Sequence, residues 1–464
     1  MKQEGIKPFI GRESELAKLQ EIYNSTDFEF GVVYGRRRIG KSTLLKKFAE
    51  GKSAIYLVAN EKKLEMNLEA FAKIIGEKLS LSHLKFKSFS DMMEFLFENV
   101  NSKTIVIIDE FTYLVAVDKA VLSELQNAVD KYKEQSSLKL VISGSHVGMV
   151  EDMLAYKKPL YARKTFSINL KEFDYYEAAL FYPRYSYEDK IRAYAICGGV
   201  PYYLSLIDDA KTLEQNIISI FIAPHAYLEN ELDFLFQTEF RNKVNYASIL
   251  QVVANGKTKL NEISQLSHIN DTAKTSTYLK PLIAMGLVDK ENVFGDGKGT
   301  RRTIYKVKNN LVNFVYTFIE ENQSARELLA PTDFYSIIVA PRLDEYVSFI
   351  FEDVCKQFIS RRNKLPIVKD KVLEIGRYWL NDSVTKAQIE IDICTRSEKG
   401  YTVYECKWQN TKIDIATMGE LEEKAGKITE FEVTAVGAFS RSGFENAVPQ
   451  NYPLTYTLNE IFNI

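Results

Sequence analysis

A glycine-rich loop between an apolar strand and a helix constrains the fold of this chain more than any other feature. Residues 30–34 (FGVVY) are an apolar run, residues 35–42 read GRRRIGKS, and residues 43–50 (TLLKKFAE) follow a helical pattern. This is the G-x-x-x-x-G-K-S/T pattern in its required strand–loop–helix order, and a chance match is expected in about one chain in a hundred. The motif predicts an α/β fold with a parallel sheet and a phosphate-binding loop at the carboxyl end of its first strand.

The residue types in this loop indicate which ligand it selects. Gly35 and Gly40 allow the backbone to curve so that successive N–H groups point at phosphate oxygens. We expect Lys41 to bind the β- and γ-phosphates and the Ser42 hydroxyl to ligate Mg²⁺, so ATP and Mg²⁺ are the predicted cofactors. The predicted nucleotide-binding loop consists of Gly35, Arg36, Arg37, Arg38, Ile39, Gly40, Lys41, Ser42 and Thr43.

Two further apolar runs end in polar residues suited to hydrolysis. Residues 103–110 (KTIVIIDE) resemble a strand buried in a parallel sheet, and they end in two acids. We expect Asp109 to hold the Mg²⁺ shell and Glu110 to orient or deprotonate the attacking water. Residues 138–145 (LKLVISGS) end in Ser143 and Ser145, which are candidates to sense the γ-phosphate; capping of the strand end is the alternative.

These blocks, taken in order, resemble the archaeal-type ATPase family, a STAND-like branch of the AAA-related P-loop ATPases that also occurs in bacteria. The resemblance covers roughly residues 8–205. The matching blocks are FIGRESEL at 9–16, YGRRRIGKSTLL at 34–45, IIDEF at 107–111, VISGS at 141–145, LYAR at 160–163 and ICGGVPYYL at 196–204.

The resemblance implies a parallel sheet of the ASCE type followed by a helical lid. It also implies that Ile10, Gly11 and Arg12 lie near the adenine and that Pro201 reports nucleotide state through the lid. Arg163 is the candidate for an arginine that contacts the γ-phosphate. The alternative for Arg163, and for the loop arginines, is an ordinary solvated side chain.

Changes in composition divide the chain into four predicted domains. They are an ATPase core at 1–169, a helical lid at 170–242, a winged helix-turn-helix at 243–310, and a nuclease-like α/β domain with its linking helix at 311–464. The third domain is predicted from three helical patterns followed by a hairpin with a Gly-rich tip at 295–299.

The third domain is also the basic part of the chain. It has 11 Lys and Arg against 5 Asp and Glu, a net charge of +6, whereas the whole chain has a net charge of −2. The residues that favour contact with DNA are Lys274, Thr275 and Thr277 on the presumed recognition helix, and Lys298, Arg301 and Arg302 on the wing. The alternative is that this domain packs between other domains.

Acidic and basic residues in the C-terminal part follow the pattern of PD-(D/E)XK nucleases. Asp392 lies on an alternating strand, and Glu405 and Lys407 lie two residues apart on the next strand. Glu352 lies on an upstream helix. The three carboxylates are candidates to hold Mg²⁺ and Lys407 to activate water, although Ile391 stands where the pattern has proline. The region also resembles the domain of uncharacterised function that usually follows this ATPase. The alternatives are an ordinary charged hairpin or a decayed fold kept for protein contacts.

Composition excludes several other classes. No apolar run approaches the roughly 18 residues that a membrane helix needs, and residues 1–16 contain no secretory signal. The four scattered cysteines favour a reducing compartment, so a cytoplasmic location is expected. The sequence thus predicts a Mg²⁺-dependent ATPase coupled to a DNA-binding, nuclease-like C-terminal half. The alternative is a STAND-like nucleotide switch that regulates binding of a protein partner and has no nuclease activity.

Overall fold

The computed structural model describes residues 9–100, 104–240, 243–295, 302–381 and 388–464. The chain divides into two compact units, unit 1 (Met1–Glu172) and unit 2 (Phe173–Ile464). No helix in the described part of the chain is both long and apolar enough to cross a membrane.

Unit 1 is built around a five-stranded parallel sheet. Its strands are β1 (Glu29–Tyr34), β2 (Ser53–Val58), β3 (Thr104–Asp109), β4 (Lys139–Gly144) and β5 (Phe166–Asn169). The strand order is β2-β3-β4-β1-β5, so that β4 lies between the strand that precedes the glycine-rich loop and the strand that ends in the acid pair. Because all strands are parallel, their carboxyl ends meet at one edge of the sheet.

Helices cover the sheet of unit 1 on both faces, which explains why its central strands are apolar throughout. In β3, Val106 and Ile108 pack into one hydrophobic core, and Ile105 and Ile107 pack into the other. The helices are α1 (Glu13–Asn24), α2 (Lys41–Ala49), α3 (Leu64–Leu79), α4 (Phe89–Asn99), α5 (Thr112–Val117), α6 (Ala120–Tyr132) and α7 (Val147–Leu154).

Unit 2 begins with a helical region followed by a hairpin. The helices are α8 (Tyr175–Ala179), α9 (Tyr187–Cys197), α10 (Pro201–Ser205), α11 (Leu213–Ile217), α12 (Glu231–Glu239), α13 (Lys243–Ala254), α14 (Leu260–Leu266) and α15 (Thr272–Ala284). Strands β6 (Val288–Asn292) and β7 (Thr303–Val307) then pair antiparallel. The helices that follow are α16 (Asn310–Phe314), α17 (Gln323–Leu328), α18 (Pro331–Phe334) and the long α19 (Ala340–Asn363). Short π-helical turns at Ile218–Ile222, Val315–Ile319 and Tyr335–Val339 and a 3₁₀ turn at Glu320–Asn322 continue α11, α16 and α18.

A second five-stranded sheet closes unit 2. It contains β8 (Glu374–Asn381), β9 (Gln388–Ser397), β10 (Gly400–Lys407), β11 (Val433–Ser440) and β12 (Leu454–Thr457), with helices α20 (Ile415–Gly426), α21 (Ala447–Asn451) and α22 (Leu458–Phe462). The strand order follows the chain, and the first three strands are antiparallel whereas β10, β11 and β12 are parallel.

The predicted elements are confirmed at most positions. The strands at 30–34, 103–109 and 138–145 correspond to β1, β3 and β4, and the three helices and hairpin of 243–310 correspond to α13, α14, α15, β6 and β7. One hydrophobic core extends through unit 2 from Phe173 to Phe462. The boundaries predicted at 242/243 and 310/311, which fall inside this unit, stay predictions.

Candidate functional site

The glycine-rich loop of unit 1 has a backbone that requires glycine at its two ends. Gly35 has a φ of +153°, and a Cβ atom there would lie 2.7 Å from the Leu170 carbonyl oxygen. Gly40 has a φ of +92° and precedes α2 without any side-chain cap. The first N–H groups of α2 therefore lack partners within the helix, and the positive end of the helix dipole favours an anion beside them.

Lys41 is buried beneath this loop, with only 4% of its surface exposed. Its Nζ donates to the carbonyl oxygens of Gly35 (3.0 Å) and Arg36 (3.2 Å). Ser42 is half-buried, whereas Thr43 is exposed. The predicted phosphate ligands Lys41 and Ser42 are thus held at the start of α2, directly after the loop.

Asp109, at the carboxyl end of β3, is held by neutral donors. It is 2% exposed, and its Oδ2 accepts a hydrogen bond from the Tyr56 hydroxyl at 2.7 Å. Its Oδ1 accepts from the Ser143 hydroxyl and from the Glu110 N–H (3.1 Å). The Tyr56 hydroxyl also contacts the Ser42 side chain, so Ser42 and Asp109 are both neighbours of this hydroxyl. Hard oxygen donors of this kind suit Mg²⁺.

Glu110 has a left-handed backbone, with a φ of +55°. This conformation costs a non-glycine residue about 1–2 kcal/mol, and neighbouring contacts hold it in place. The Glu110 N–H donates to Ser143 Oγ (3.0 Å), and Glu110 Oε1 accepts from the Ser145 hydroxyl (2.6 Å). Glu110 Oε2 is buried and has no hydrogen-bond partner among the described residues. One carboxylate oxygen is therefore fixed, and the other is left to accept a proton or a hydrogen bond.

Tyr56 was not anticipated from the sequence. Burial raises its pKa, and the hydrogen bond to Asp109 raises it further, so this hydroxyl stays protonated and acts as a donor. Tyr56 lies on β2, which pairs with β3. The sequence contains no indication of that pairing, because strand order is a property of the sheet.

Two arginines connect the glycine-rich loop to the end of unit 1. Arg12 is 7% exposed, and its Nη2 donates to the carbonyl oxygens of Ile39 (3.3 Å) and Lys171 (2.7 Å). Arg36 Nη2 forms an ion pair with Glu172 at 2.8 Å. Residues 171 and 172 are therefore fastened to the loop, a contact that the sequence pattern did not reveal.

The other predicted nucleotide contacts lie close to the same loop. Ile10 is half-buried and Gly11 is buried with a φ of +67°. Arg37 donates to the Tyr113 hydroxyl at 3.0 Å. Arg38 has a left-handed backbone, with a φ of +67°.

Arg163 is not brought to this loop. It lies three residues before β5 begins, at the amino edge of the parallel sheet, whereas the loop lies at the carboxyl edge. Its guanidinium forms a bidentate ion pair with Asp130 (Nε–Oδ1 3.0 Å, Nη2–Oδ2 2.7 Å) and donates to the Pro159 carbonyl. Contact with a γ-phosphate bound in its own chain would require this segment to move across the sheet.

In unit 2, the predicted nuclease residues lie near one another. Strands β9 and β10 are antiparallel neighbours, and the Cys406 N–H donates to Asp392 Oδ2 at 2.8 Å. Glu405 is 6% exposed and is ion-paired with Lys407 Nζ and, at 3.5 Å, with Lys424 Nζ. Burial and the negative charge of Glu405 raise the pKa of Asp392.

Glu352 enters the same region from α19. It is 8% exposed, and Arg377 Nη1 lies 3.6 Å from its Oε2. Burial raises the pKa of Glu352 to about 7, with Arg377 lowering it and Asp392 raising it. Nevertheless, the described residues contain no group of three or more His, Cys, Asp or Glu side chains placed to hold a metal ion. The predicted ligands Glu352, Asp392 and Glu405 interact electrostatically without forming such a group.

The hairpin predicted to be a DNA-binding wing packs against the C-terminal sheet. Glu291 of β6 pairs with Lys306 of β7 (3.0 Å) and with Lys356 of α19 (3.2 Å). The Phe294 N–H donates to the Arg377 carbonyl at 2.8 Å. Arg302 lies 3.5 Å from Glu430. Lys298 and Arg301, the other basic residues assigned to the wing, lie outside the described residues.

The presumed recognition helix, α15, has one exposed basic face. Lys274, Thr277 and Lys280 are exposed. Thr275, which was expected to face DNA, is fully buried and donates to the Asp271 carbonyl, so that expectation was wrong. Thr275 belongs to the core because it lies one helical turn before the buried Leu279, on the face of α15 that packs inward.

Models of two protein families match separate parts of the chain. Residues 9–207 match the model of an ATPase domain predominantly from Archaea, and residues 315–425 match a model of archaeal and bacterial proteins of unknown function. An uncharacterized protein of Methanocaldococcus jannaschii is 30% identical over 408 residues, which cover 87% of this chain and 88% of that protein.

Two solved structures are similar over most of their own length. The Walker-type ATPase of Pyrococcus abyssi has 20% identity and a TM-score of 0.47, covering 66% of this chain and 96% of that one. The ORC2 protein of Aeropyrum pernix, in ADPNP–ADP complexes, has 15% identity and a TM-score of 0.47, covering 69% of this chain and 97% of that one.

The family match agrees with the geometry of unit 1, where the phosphate-binding loop, Asp109 and Glu110 lie at the carboxyl edge of a parallel sheet. Residues 9–207 are therefore an ATP-binding ATPase domain. The chain belongs to the family in which an ATPase domain predominantly from Archaea is combined with a C-terminal domain of unknown function found in archaeal and bacterial proteins.

Proposed function

We propose that this protein hydrolyses ATP with Mg²⁺ at the 35–42 loop and that its nucleotide state controls nucleic-acid binding by the C-terminal half. The observation that carries the first part is the Glu110 carboxylate, with Oε1 bound by Ser145 and Oε2 buried, with no hydrogen-bond partner in the described part of the chain. A carboxylate fixed at one oxygen and open at the other is suited to position a water molecule.

The roles of the remaining residues follow from their positions. Lys41 and the N–H groups of α2 bind the phosphates and neutralise negative charge that develops during transfer. Ser42 and Asp109 would hold Mg²⁺, which supplies electrostatic stabilisation of the phosphates when bound. Glu110 orients water and accepts its proton. Tyr56 and Ser143 keep the Asp109 carboxylate in one orientation by donating to it.

Binding of nucleic acid is assigned to the predicted winged helix at 243–310. Support comes from the net charge of +6 and from the exposed face of α15. Lys274 and Lys280 are exposed on this face. Lys257 and Lys259, which precede α14, are also exposed, and none of these four lysines has an ion-pair partner among the described residues. Exposed, uncompensated lysines release counterions when they meet phosphates, so we expect duplex binding that weakens steeply with salt.

The 311–464 region is proposed to be a nuclease-like fold. Support comes from the adjacency of β9 and β10 and from the packing of α19 beside them. Within 311–381 and 388–464, the ranges of this region that the structure describes, no three or more His, Cys, Asp or Glu side chains are grouped to hold a metal ion. We therefore propose the fold and derive no cleavage step from it.

A specific observation favours a second candidate, a nucleotide switch that regulates protein binding. Glu405 is paired with Lys407 and Lys424, and Glu352 with Arg377, so two of the three carboxylates expected to hold a metal have cationic partners within the protein. In this candidate, ATP reorders the predicted lid at 170–242 and thereby exposes or covers a protein-binding surface.

An ATPase assay with and without duplex DNA, single-stranded DNA and RNA tests the proposal. Turnover that nucleic acid stimulates supports an ATP-driven machine, and Lys41→Ala provides the blank. Slow turnover that nucleic acid does not change, together with nucleotide-dependent capture of a protein partner, would contradict this proposal and support the nucleotide switch. Mg²⁺-dependent cleavage of DNA that disappears in Asp392→Ala and Lys407→Ala, while ATPase activity survives, would add nuclease activity.

A further inference from the structure

The chain has a second basic surface, which belongs to unit 1. It lies at the edge of the parallel sheet opposite the 35–42 loop. Residues 155–165 (AYKKPLYARKT), here called the tyrosine–lysine loop, contain four Lys and Arg and no acidic residue. The loop connects α7 to β5 and therefore returns the chain to the amino edge of the sheet. ATP binding at the carboxyl edge does not use it.

Two tyrosines of this loop are exposed although aromatic side chains are normally buried. Tyr156 is 72% exposed and Tyr161 is 46% exposed. Their rings contact each other edge to face, with centroids 5.3 Å apart. Each ring therefore presents part of its surface to solvent, in a fixed relation to the other.

One basic group lies over a ring of this pair, and the other basic groups belong to the same loop. Lys157 Nζ lies 5.6 Å from the centre of the Tyr156 ring. Lys158 forms only an exposed ion pair with Asp152, a kind of contact worth about 0–1 kcal/mol, which a phosphate can displace. Lys164 is half-buried at the end of the loop. A groove of about 210 Å³ runs along the loop, lined by Lys157, Lys158, Tyr161 and Arg163 among others.

Arg163 gives the loop its shape. Its bidentate pair with Asp130 fastens the loop to α6, and its hydrogen bond to the Pro159 carbonyl joins two residues of the loop itself. The side chain is 22% exposed, so its charge is largely committed to this contact. Arg163 is thus a positioning residue here, and the phosphate-binding charge comes from the lysines.

We propose that the tyrosine–lysine loop binds single-stranded nucleic acid, with bases stacked on Tyr156 and Tyr161 and phosphates bound by Lys157, Lys158 and Lys164. Stacking on exposed aromatic rings flanked by cations is the usual means of binding single strands without sequence preference. A duplex keeps its bases stacked on each other and offers the tyrosines nothing to bind. This site goes beyond the proposed function, which assigns duplex binding to α15 of unit 2.

The test measures binding of a fluorescently labelled oligothymidylate by anisotropy, using the full chain without nucleotide and with EDTA. Tyr156→Ala should weaken binding about tenfold, since stacking contributes about 1–3 kcal/mol per base. Tyr227→Ala is the matched control, because Tyr227 is also 72% exposed but is followed by Glu229 and Glu231. Binding that is equal in these two variants would overturn the proposal.

Further variants separate the alternatives. Lys157→Glu combined with Lys158→Glu should weaken binding and reduce its salt dependence, while basal ATPase activity stays within twofold of the parent chain. Lys274→Glu with Lys280→Glu should reduce duplex binding only, so failure of the proposed duplex site and failure of this site are distinguishable. If Tyr156→Ala instead abolishes self-association in light scattering without changing oligonucleotide binding, the loop is a protein interface and the proposal is wrong.

Discussion

The carboxylates at the end of β3 and the Glu405 carboxylate of β10 are similar in chemical type but differ in what holds them. Asp109 and Glu110 accept hydrogen bonds from neutral groups, the hydroxyls of Tyr56, Ser143 and Ser145. Glu405 in unit 2 is instead bound by cations, Lys407 and Lys424.

This difference matters because a neutral donor orients a carboxylate without cancelling its charge. The hydrogen bonds described for Asp109 and Glu110 therefore place no positive charge against either carboxylate. A carboxylate already paired with lysine or arginine must exchange that partner before it can bind a metal. The spacing of acidic residues thus predicts sites in both units, and the partners of the carboxylates differ between them. The predictions below test this contrast.

The largest expected effect is on ATP turnover in Lys41→Ala. Loss of the buried ammonium removes stabilisation of the phosphates, and we expect kcat/KM to fall about 1000-fold. Lys407→Ala, the corresponding lysine of the second cluster, should leave ATPase activity within twofold. Equal losses in a coupled assay would contradict the assignment of catalysis to unit 1.

Next in size is Glu110→Gln, which retains the shape of the side chain and its hydrogen bond from Ser145. Without a group to accept the proton of water, turnover should fall about 100-fold while ATP affinity changes little. Single-turnover kinetics combined with titration of a fluorescent ATP analogue separates the two quantities. The matched variant is Glu405→Gln, for which unchanged turnover is expected. A large loss of ATP affinity in Glu110→Gln would indicate a structural role instead.

The ion-pair network around Glu291 in unit 2 should contribute measurably to the free energy of unfolding. Despite burial, Lys356 and Lys306 lower the pKa of Glu291, so its charge is favoured in the folded state. Glu291→Gln leaves these two cations to share one carboxylate, Asp353, at 3.7 Å from Lys306 and 3.5 Å from Lys356, and should reduce the free energy of unfolding by about 3 kcal/mol. Both tryptophans, Trp379 and Trp408, lie in unit 2, so their fluorescence in urea reports this unit.

Lys290→Gln, on the same hairpin but exposed, is the control and should change the free energy of unfolding by less than about 0.5 kcal/mol. Similar losses in the two variants would mean that the hairpin, rather than the buried network, is the sensitive feature.

A smaller effect depends on pH and concerns Glu352. Because its pKa is about 7 when folded, above the ordinary value of 4.5, the folded state binds a proton that the unfolded state has lost between these pH values. Its contribution to stability is therefore complete below about pH 4.5 and is lost as the pH rises through 7. Glu352→Gln, a permanently neutral mimic, should equal the parent chain near pH 4 and exceed its stability by about 2 to 3 kcal/mol at pH 8.

Tryptophan fluorescence in urea at the two pH values measures this difference, and the exposed Glu398→Gln should give the same result at both. A variant that is less stable than the parent at pH 8 would mean that the Arg377–Glu352 pair outweighs the burial of Glu352.

The smallest effect is expected from Tyr56→Phe. Removing the hydroxyl deprives Asp109 Oδ2 of its donor and should weaken the Mg²⁺ dependence of ATP hydrolysis about threefold to tenfold, corresponding to about 1 kcal/mol. Tyr113→Phe, which removes the partner of Arg37 in the same unit, is the control. An unchanged Mg²⁺ titration in Tyr56→Phe would show that Ser143 alone orients Asp109.

The residues predicted with most success were those whose position follows from local pattern. A strand, a glycine-rich loop and a helix in succession are sufficient to predict the loop from Gly35 to Lys41, and an apolar run ending in Asp109 predicts a strand end at the same edge. Tyr56 could not be found in this way, and Arg12 was included only through the family resemblance, since their contacts join segments more than 25 residues apart in the sequence. Neither residue carries a local pattern that indicates its partner.

At other positions the sequence indicated a charged residue but not its burial or its partners. The +6 charge of 243–310 is a property of the sequence, yet Lys306 and Arg302 pair with Glu291 and Glu430 while Lys274 remains exposed. Similarly, the spacing of Asp392, Glu405 and Lys407 indicated their shared region but not the internal ion pairs that occupy it.

The sequence by itself determined that this chain has a phosphate-binding loop, an acid pair after a buried strand and a basic helical segment, because each depends on residue types at short, fixed spacing. Only the tertiary structure decided which charges are compensated, that Tyr56 and Ser143 orient Asp109, and that Arg163 lies at the opposite edge of the sheet with Asp130. The physical reason is that the effect of a charged side chain depends on burial and on its partners, and both come from segments that are distant in sequence.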